Sequence, residues 1–224
     1  MSLKFPVSLV GKRGEPIYTP PATTIAYDSG GGIVINSSIV NIPNNWQNGN
    51  LNLYGLDLGS PVITIGLRAF YGCYNLTGDL YIPDGVTFVD DLAFYNCRFI
   101  NARLPDNLTS MTGILKQNAF LESVNIPTSV VTIGLASFQN CPKLAGTITI
   151  PPTCNTIGDN AFRNVGGTGE GLTFNLNRLT PPSLGSDWAR DCITVDNKIH
   201  VPSNATGYAA SYWGNTVVKD LPAL

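Results

Sequence analysis

The chain has 224 residues, enough for one domain with a substantial core. Only 12% are charged and the net charge is −2, so nothing resembles an electrostatic footprint for nucleic acid. No apolar run approaches the ~18 residues of a membrane-spanning helix.

Residues 1–28 carry Pro6, Pro16, Pro20 and Pro21 with Gly11 and Gly14, a composition that favours an extended arm or irregular cap. Lys4, Phe5, Lys12, Arg13 and Tyr18 are its candidate contacts for docking on another virion or surface protein, for instance by strand addition. Ser29-Gly30-Gly31-Gly32 reads as a flexible joint. Ile33-Val34-Ile35 and Ile39 to Pro43 read as two short strands around an Asn36-Ser37-Ser38 turn, with Ile42-Pro43 as a degenerate first coil. Trp46 is placed to cover the open end of a core.

From residue 51 one phrase recurs. In its second copy, Leu80 and Ile82 alternate with Asp79 and Tyr81 as a half-buried strand. Pro83 lacks an N–H and ends that strand's ladder, and Asp84-Gly85 turns the chain. Val86 and Val89 re-enter the core, and Leu92-Ala93-Phe94 are expected on a short helical or 3-10 turn. Eleven residues separate Pro83 from Phe94, Pro127 from Phe138, Pro151 from Phe162 and Gly59 from Phe70. Pro105 to Phe120 is fifteen, which reads as an insertion at 113–116. The prolines at 83, 105, 127 and 151 advance by 22, 22 and 24, and such a period marks a solenoid. Coils are expected at about 51–78, 79–101, 102–122, 123–146 and 147–171, around a column of Phe70, Phe94, Phe120, Phe138 and Phe162.

Cys73, Cys97 and Cys141 each follow a Phe by three and read as small buried hydrophobes, while Cys154 and Cys192 fall outside that register. An odd count without a CxxC argues against a disulfide framework or a zinc site. Beyond the last regular strand, Leu172 to Leu176, a hairpin is expected over Ile193 to Val201 with Asp196-Asn197 at its turn. Residues 203–213 read as a short helix capped by Ser203, with Tyr208, Tyr212 and Trp213 folded onto the final coil.

The pattern Leu-x-x-x-Leu-x-Ile-Pro-x-x-Val-x-x-Ile-Gly-x-x-Ala-Phe-x-x-Cys-x-x-Leu over about 51–176 resembles the BspA-type leucine-rich repeat. Thr180 to Gly185, Ile199 to Pro202 and Gly207 to Trp213 are similar to the closing cap of such arrays, although Trp188-Ala189 stands where Ala-Phe is expected. The resemblance implies an α/β, strand-rich solenoid with short helical or 3-10 turns, an N-terminal extended arm and a C-terminal cap. Its expected division is 1–32 arm and joint, 33–50 cap strands, 51–176 solenoid and 177–224 cap. Bacterial relatives of this repeat are mostly surface proteins.

The search for chemistry is short. His200 is the one histidine, and no Gly-x-Ser-x-Gly elbow or HExxH is present. Gly166 to Gly171 lacks the lysine of a phosphate loop, and Asp90-Asp91 is explained by turn chemistry. No catalytic, cofactor-binding or metal-binding residue is therefore assigned, and a non-enzyme is expected. What remains is the face formed by the residues between core positions: Asp79, Tyr81, Asn101, Arg103, Ser123, Asn125, Thr147, Thr149, Thr173 and Asn175. It is polar and nearly uncharged, which suits protein or glycan better than nucleic acid, with Tyr81 and Arg103 as expected anchors. Read with Met1 as its start and no export signal behind it, the chain is expected on a phage particle, as a decoration, fibre or tail component held by its arm. The alternative is an extracellular or bacterial cell-surface adhesin. A homo-oligomer is compatible with either.

Overall fold

Each repeat winds once and supplies two strands, because each of its two apolar clusters alternates inward and outward side chains at period two. The computed structural model describes residues 25–27, 32–35, 39–59, 61–166, 172–192, 194–209, 211–212 and 215–223. The expected arm contacts Lys4, Phe5, Lys12, Arg13 and Tyr18 lie outside the described residues. In chain order the strands are β1 (Ile25–Tyr27), β2 (Ile33–Ile35), β3 (Asn41–Ile42), β4 (Leu56–Asp57), β5 (Thr64–Ile65) and β6 (Thr77–Tyr81). Next come β7 (Phe88–Val89), β8 (Arg98–Arg103), β9 (Ser110–Met111), β10 (Ser123–Val124), β11 (Thr132–Ile133) and β12 (Gly146–Ile150). The last are β13 (Thr156–Ile157), β14 (Leu172–Leu176), β15 (Ser183–Leu184), β16 (Thr194–Pro202), β17 (Ser211–Tyr212) and β18 (Asn215–Leu221).

These form a strand-rich parallel solenoid of about seven turns. The strand that ends near the repeat proline builds a long ladder, with sheets β1-β2-β4, β6-β8-β10 and β12-β14-β16-β18-β17. The strand of the Ile-Gly pair builds a short ladder, β3-β5-β7 and β9-β11-β13-β15. Successive windings pair in parallel in both ladders. At each end of the long ladder an antiparallel strand, β1 on β2 and β17 on β18, is added, which limits the exposed edge that would template aggregation.

Backbone hydrogen bonds fix how the windings stack. The N–H groups of Gln47, Phe70, Phe94, Leu115, Phe138 and Phe162 donate to Ala69, Ala93, Ile114, Ser137, Ala161 and Trp188 respectively. The phenylalanine slot is thus filled by Gln47, Phe70, Phe94, Leu115, Phe138, Phe162 and Ala189 in turn. Phe70 and Phe94 stack at 5.3 Å, and Phe138 and Phe162 at 5.1 Å. The expected fifth member, Phe120, is not in the column. It is 36% exposed, with the Arg98 guanidinium 4.4 Å and the Lys143 ammonium 5.1 Å from its ring centroid. Leu115 takes its place, and 113–116 is the turn itself rather than an insertion. Trp46 lies edge-on to Phe70 at 5.7 Å, and Trp188 edge-on to Phe162 at 6.0 Å. Among the described rings these two indoles lie across the ends of the column.

The expected helical turn is replaced. Among the described residues no helix occurs. Leu92 and Asn96, two before and two after Phe94, both have left-handed φ, and so do Ala136 and Asn140 around Phe138. Two such reversals per corner break any i to i−4 ladder while keeping the Phe between them pointed inward. The helix expected over 203–213 is likewise absent from the described residues there: Ser203–Asn204 is a turn and Ser211–Tyr212 a strand. Nor do the described residues Thr194 to Val201 form a hairpin. β16 is one strand, and its register on β14 shifts between Leu172–Thr194 and Phe174–Ile199, which absorbs Asp196-Asn197.

The Ile-Gly glycine has a steric cause. A Cβ on Gly158 would sit 2.8 Å from the Gly134 carbonyl carbon, and one on Gly134 would sit 2.9 Å from the Met111 oxygen. Asp90 and Thr112 hold this slot in the third and fourth windings, and the short ladder is interrupted there, between β7 and β9.

Two cysteine expectations are corrected. Cys192 follows the slot residue Ala189 by three and so belongs to the register. Cys154 N–H bonds to Pro151 O as Val86 does to Pro83, Leu108 to Pro105 and Val130 to Pro127, so it too is a repeat position. The row also does more than fill space. The thiols of Cys73, Cys97 and Cys141 donate to the slot carbonyls of the preceding winding, Gln47, Phe70 and Leu115, at 3.1, 3.2 and 3.2 Å. Where the fourth winding has Asn118 instead, its amide donates to Phe94 O at 2.8 Å.

Candidate recognition face

The outward residues of the long ladder divide into two groups. In the sheet of β6, β8 and β10, Asp79, Asn101 and Ser123 are aligned in register. Asn101 Nδ2 donates to Asp79 Oδ1 at 2.8 Å, and Ser123 Oγ donates to Asn101 Oδ1 at 2.6 Å. Asn125 turns back on its neighbour: its Oδ1 accepts from Leu104 N–H at 2.7 Å and its Nδ2 donates to Leu104 O at 3.3 Å. Tyr81 and Arg103, expected as two anchors, form one unit, with the guanidinium 4.9 Å from the ring centroid. Arg103 grips Asp84 with both nitrogens, at 2.7 and 2.9 Å, and reaches Asp106 at 3.3 Å. The Arg103 hydrogen bond, then the Asp106 backbone N–H, hold the Asp84 carboxyl below its usual range. In this half the polar side chains other than the exposed Tyr81 hydroxyl are bonded to one another or to backbone.

In the sheet of β12, β14 and β16 the arrangement differs. Thr147 faces Thr173, and Thr149, Asn175 and His200 follow one another across three strands. The side chains of Thr147, Thr149, Thr173 and Asn175 hydrogen-bond to no other described residue. His200 Nδ1 lies 2.8 Å from each Asp220 oxygen. An ionised carboxylate only accepts, so Nδ1 carries the proton and donates. Thr149, Asn175 and Asn177 with Leu221 and Pro222 line a depression of about 260 Å³. The two groups meet where β10 and β12 are not paired as strands, bridged by Ala145 N–H to Glu122 O at 3.2 Å.

Two features escaped the reading from residues. Tyr71 and Tyr95 stack at 4.3 Å, with Arg68 5.5 Å from the Tyr71 centroid. Their signal was a Phe-Tyr pair at the same place in consecutive repeats. The second is the Phe120 cluster, whose signal was the pair Ile114-Leu115 followed at three residues by Asn118. Among the described residues no three His, Cys, Asp or Glu side chains gather as a metal site would require. No helix among them is long and apolar enough to cross a membrane.

Parallel windings, an inward slot residue flanked by reversals and a repeat in the low twenties define a leucine-rich-repeat solenoid. The profile described as a BspA type leucine rich repeat region matches residues 33–167 in six copies. The chain belongs to the BspA-type leucine-rich-repeat family. A leucine-rich-repeat protein of T. pallidum has a similar fold, with a TM-score of 0.64 at 23% identity over 75% of this chain and 81% of that one. A Bacteroides ovatus leucine-rich-repeat protein matches with a TM-score of 0.47 at 16% identity, covering 82% of this chain and 71% of that one. A leucine-rich cell surface protein from Faecalibacterium prausnitzii matches at 0.37 and 13%, covering 87% and 91%. No curated protein matches the chain.

Proposed function

We propose that the chain is a non-enzymatic recognition module displayed on a bacterial cell surface, where its long-ladder face binds host protein or glycan. Family membership supports the setting, since BspA-type repeats resemble those of bacterial surface proteins. Display on a phage particle, the other setting expected from the sequence, has no comparable support. The observation that carries the binding role is the row Thr147, Thr149, Thr173 and Asn175, whose polar groups are turned outward and unused within the described fold. The lack of enzymatic function is argued from the side chains. The thiols of Cys73, Cys97, Cys141, Cys154 and Cys192 are pushed up, chiefly by burial, which suppresses the nucleophilic thiolate. In the same reading the segment before β1 tethers the module to its neighbour.

The test is binding of the purified full chain to an array of extracellular-matrix proteins and oligosaccharides. Pairs Tyr81→Ala with Arg103→Ala, and Thr149→Ala with Asn175→Ala, are compared with the parent. Loss of a parent signal in either pair, with unchanged thermal stability, is the expected result. Equal signals in all three proteins would remove the face from consideration.

A further inference from the structure

The corner that follows the phenylalanine slot carries two phenols that the recognition face does not use. Tyr71 and Tyr95 come directly after Phe70 and Phe94, 24 residues apart in the chain and one winding apart in the solenoid. Gly72 N–H donates to Tyr95 O at 2.8 Å, which locks the two backbones side by side. The rings stack with centroids 4.3 Å apart and planes 7° from parallel. At that spacing the carbons of one ring are in van der Waals contact with those of the other. Each ring has a further partner. The Tyr95 hydroxyl donates to Gln117 Oε1, and the Arg68 guanidinium lies 5.5 Å from the Tyr71 centroid. Both rings are half-buried, so each keeps an edge in solvent. Tyr54, Tyr74 and Tyr81 are more exposed, yet among the described residues no other two tyrosine rings are stacked.

We propose that Tyr71 and Tyr95 are a site of oxidative coupling, at which hydrogen peroxide and a haem peroxidase join the two rings into a dityrosine within one chain. The inference does not rest on the recognition role above. Each phenol gives up one electron and one proton. One peroxide molecule takes up both electrons and both protons and leaves as two waters. Each phenoxyl radical spreads its unpaired electron over the oxygen and the carbons ortho to it. One Cε from each ring forms the new C–C bond, and the hydrogen displaced at that carbon moves to the oxygen of its own ring, which restores both aromatic systems. Two radicals on separate segments must first meet. Here stacking has already placed the partners together, which is the advantage of any reaction made intramolecular. Burial first, and then the neighbouring Tyr71 phenol, push the Tyr95 phenol up, so at neutral pH its electron leaves together with its proton. The product ties the second winding to the third by a bond that thiols do not reduce. It closes a loop in the unfolded chain and so favours the folded solenoid.

In the experiment the dilute full chain is incubated with a plant haem peroxidase and hydrogen peroxide, and N-acetyltyrosine is oxidised in parallel to show that the enzyme turns over. The product is then reduced with dithiothreitol, because Cys73 and Cys97 lie in the same two windings and a disulfide between them would also remove two hydrogens. Cleavage before aspartate releases 57–78, which holds Tyr71, and 91–105, which holds Tyr95, as separate peptides of the untreated chain. The expected result is a monomer lighter by two hydrogens, with dityrosine fluorescence and these two peptides joined. Tyr71→Phe and Tyr95→Phe each keep a ring in the stack, so the fold survives, and each should cut the joined product at least about tenfold. Tyr74→Phe and Tyr81→Phe should leave it unchanged. Three results would overturn the site: no joined peptides while N-acetyltyrosine dimerises, joined peptides that persist in Tyr71→Phe, or dityrosine confined to covalent dimers that disappear on dilution.

Discussion

Phe94 and Phe120 are the same residue type in near-identical local sequence, Leu-Ala-Phe and Asn-Ala-Phe, yet their truncation should differ several-fold in cost. Phe94 is fully buried and stacks on Phe70, so Phe94→Ala leaves a cavity among side chains that cannot collapse and should cost about 3–5 kcal/mol. Phe120→Ala gives up an exposed ring and two cation contacts, and should cost about 1 kcal/mol or less. Urea unfolding followed by circular dichroism separates the two; equal losses would restore Phe120 to the column. The thiols make a second residue-scale prediction. Burial pushes Cys73, Cys141 and Cys192 up to about 12, against roughly 8.5 for a thiol in an unfolded chain. Because the folded value is the higher one, the thiols' contribution to stability is full below roughly pH 8.5 and is lost as pH rises towards 12. At pH 8.5 a disulfide reagent should therefore leave the buried Cys73 and Cys141 thiols untouched in the native chain and titrate them rapidly in guanidinium. Rapid native reaction would contradict their burial.

At the scale of the element, the windings approach most closely at the Ile-Gly corner, where there is no Cβ. Gly158→Ala places one 2.8 Å from backbone atoms of Gly134 and Leu135, which no rotamer change relieves, and should cost about 1–3 kcal/mol or more. Gly146→Ala meets open space and loses only its left-handed φ of 80°, about 1–2 kcal/mol. Thermal unfolding of the two variants should rank them in that order, and a neutral Gly158→Ala would show that the windings are not in backbone contact. The strands, their terminating prolines and this glycine were legible because each is a local requirement repeated at a fixed period. The fourth winding was not. Ile114-Leu115 fills an Ala-Phe site with ordinary aliphatics, while Ala119-Phe120 imitates the motif five residues too late. The helical corner was misread for a related reason. Leu92 and Ala136 are good helix formers, and only stacking against the next winding holds them at left-handed φ.

For the molecule as a whole, two tryptophans lie across the ends of the described column and two antiparallel strands extend the long ladder at its ends. Which residues form the long-ladder face could be read from period two. How that face divides could not, since Asn101 reaching Asp79 and Asn175 reaching no other described residue depend on the register between strands some 22 residues apart. The most direct test sets one face against the other on the array of matrix proteins and oligosaccharides. Thr147→Arg with Asn101→Arg obstructs the long ladder, and Ser110→Arg with Ser183→Arg obstructs the short one, all at outward positions. The account predicts that the first pair abolishes the parent chain's binding and the second preserves it; binding that survives on the obstructed long ladder and vanishes with the short one would contradict it.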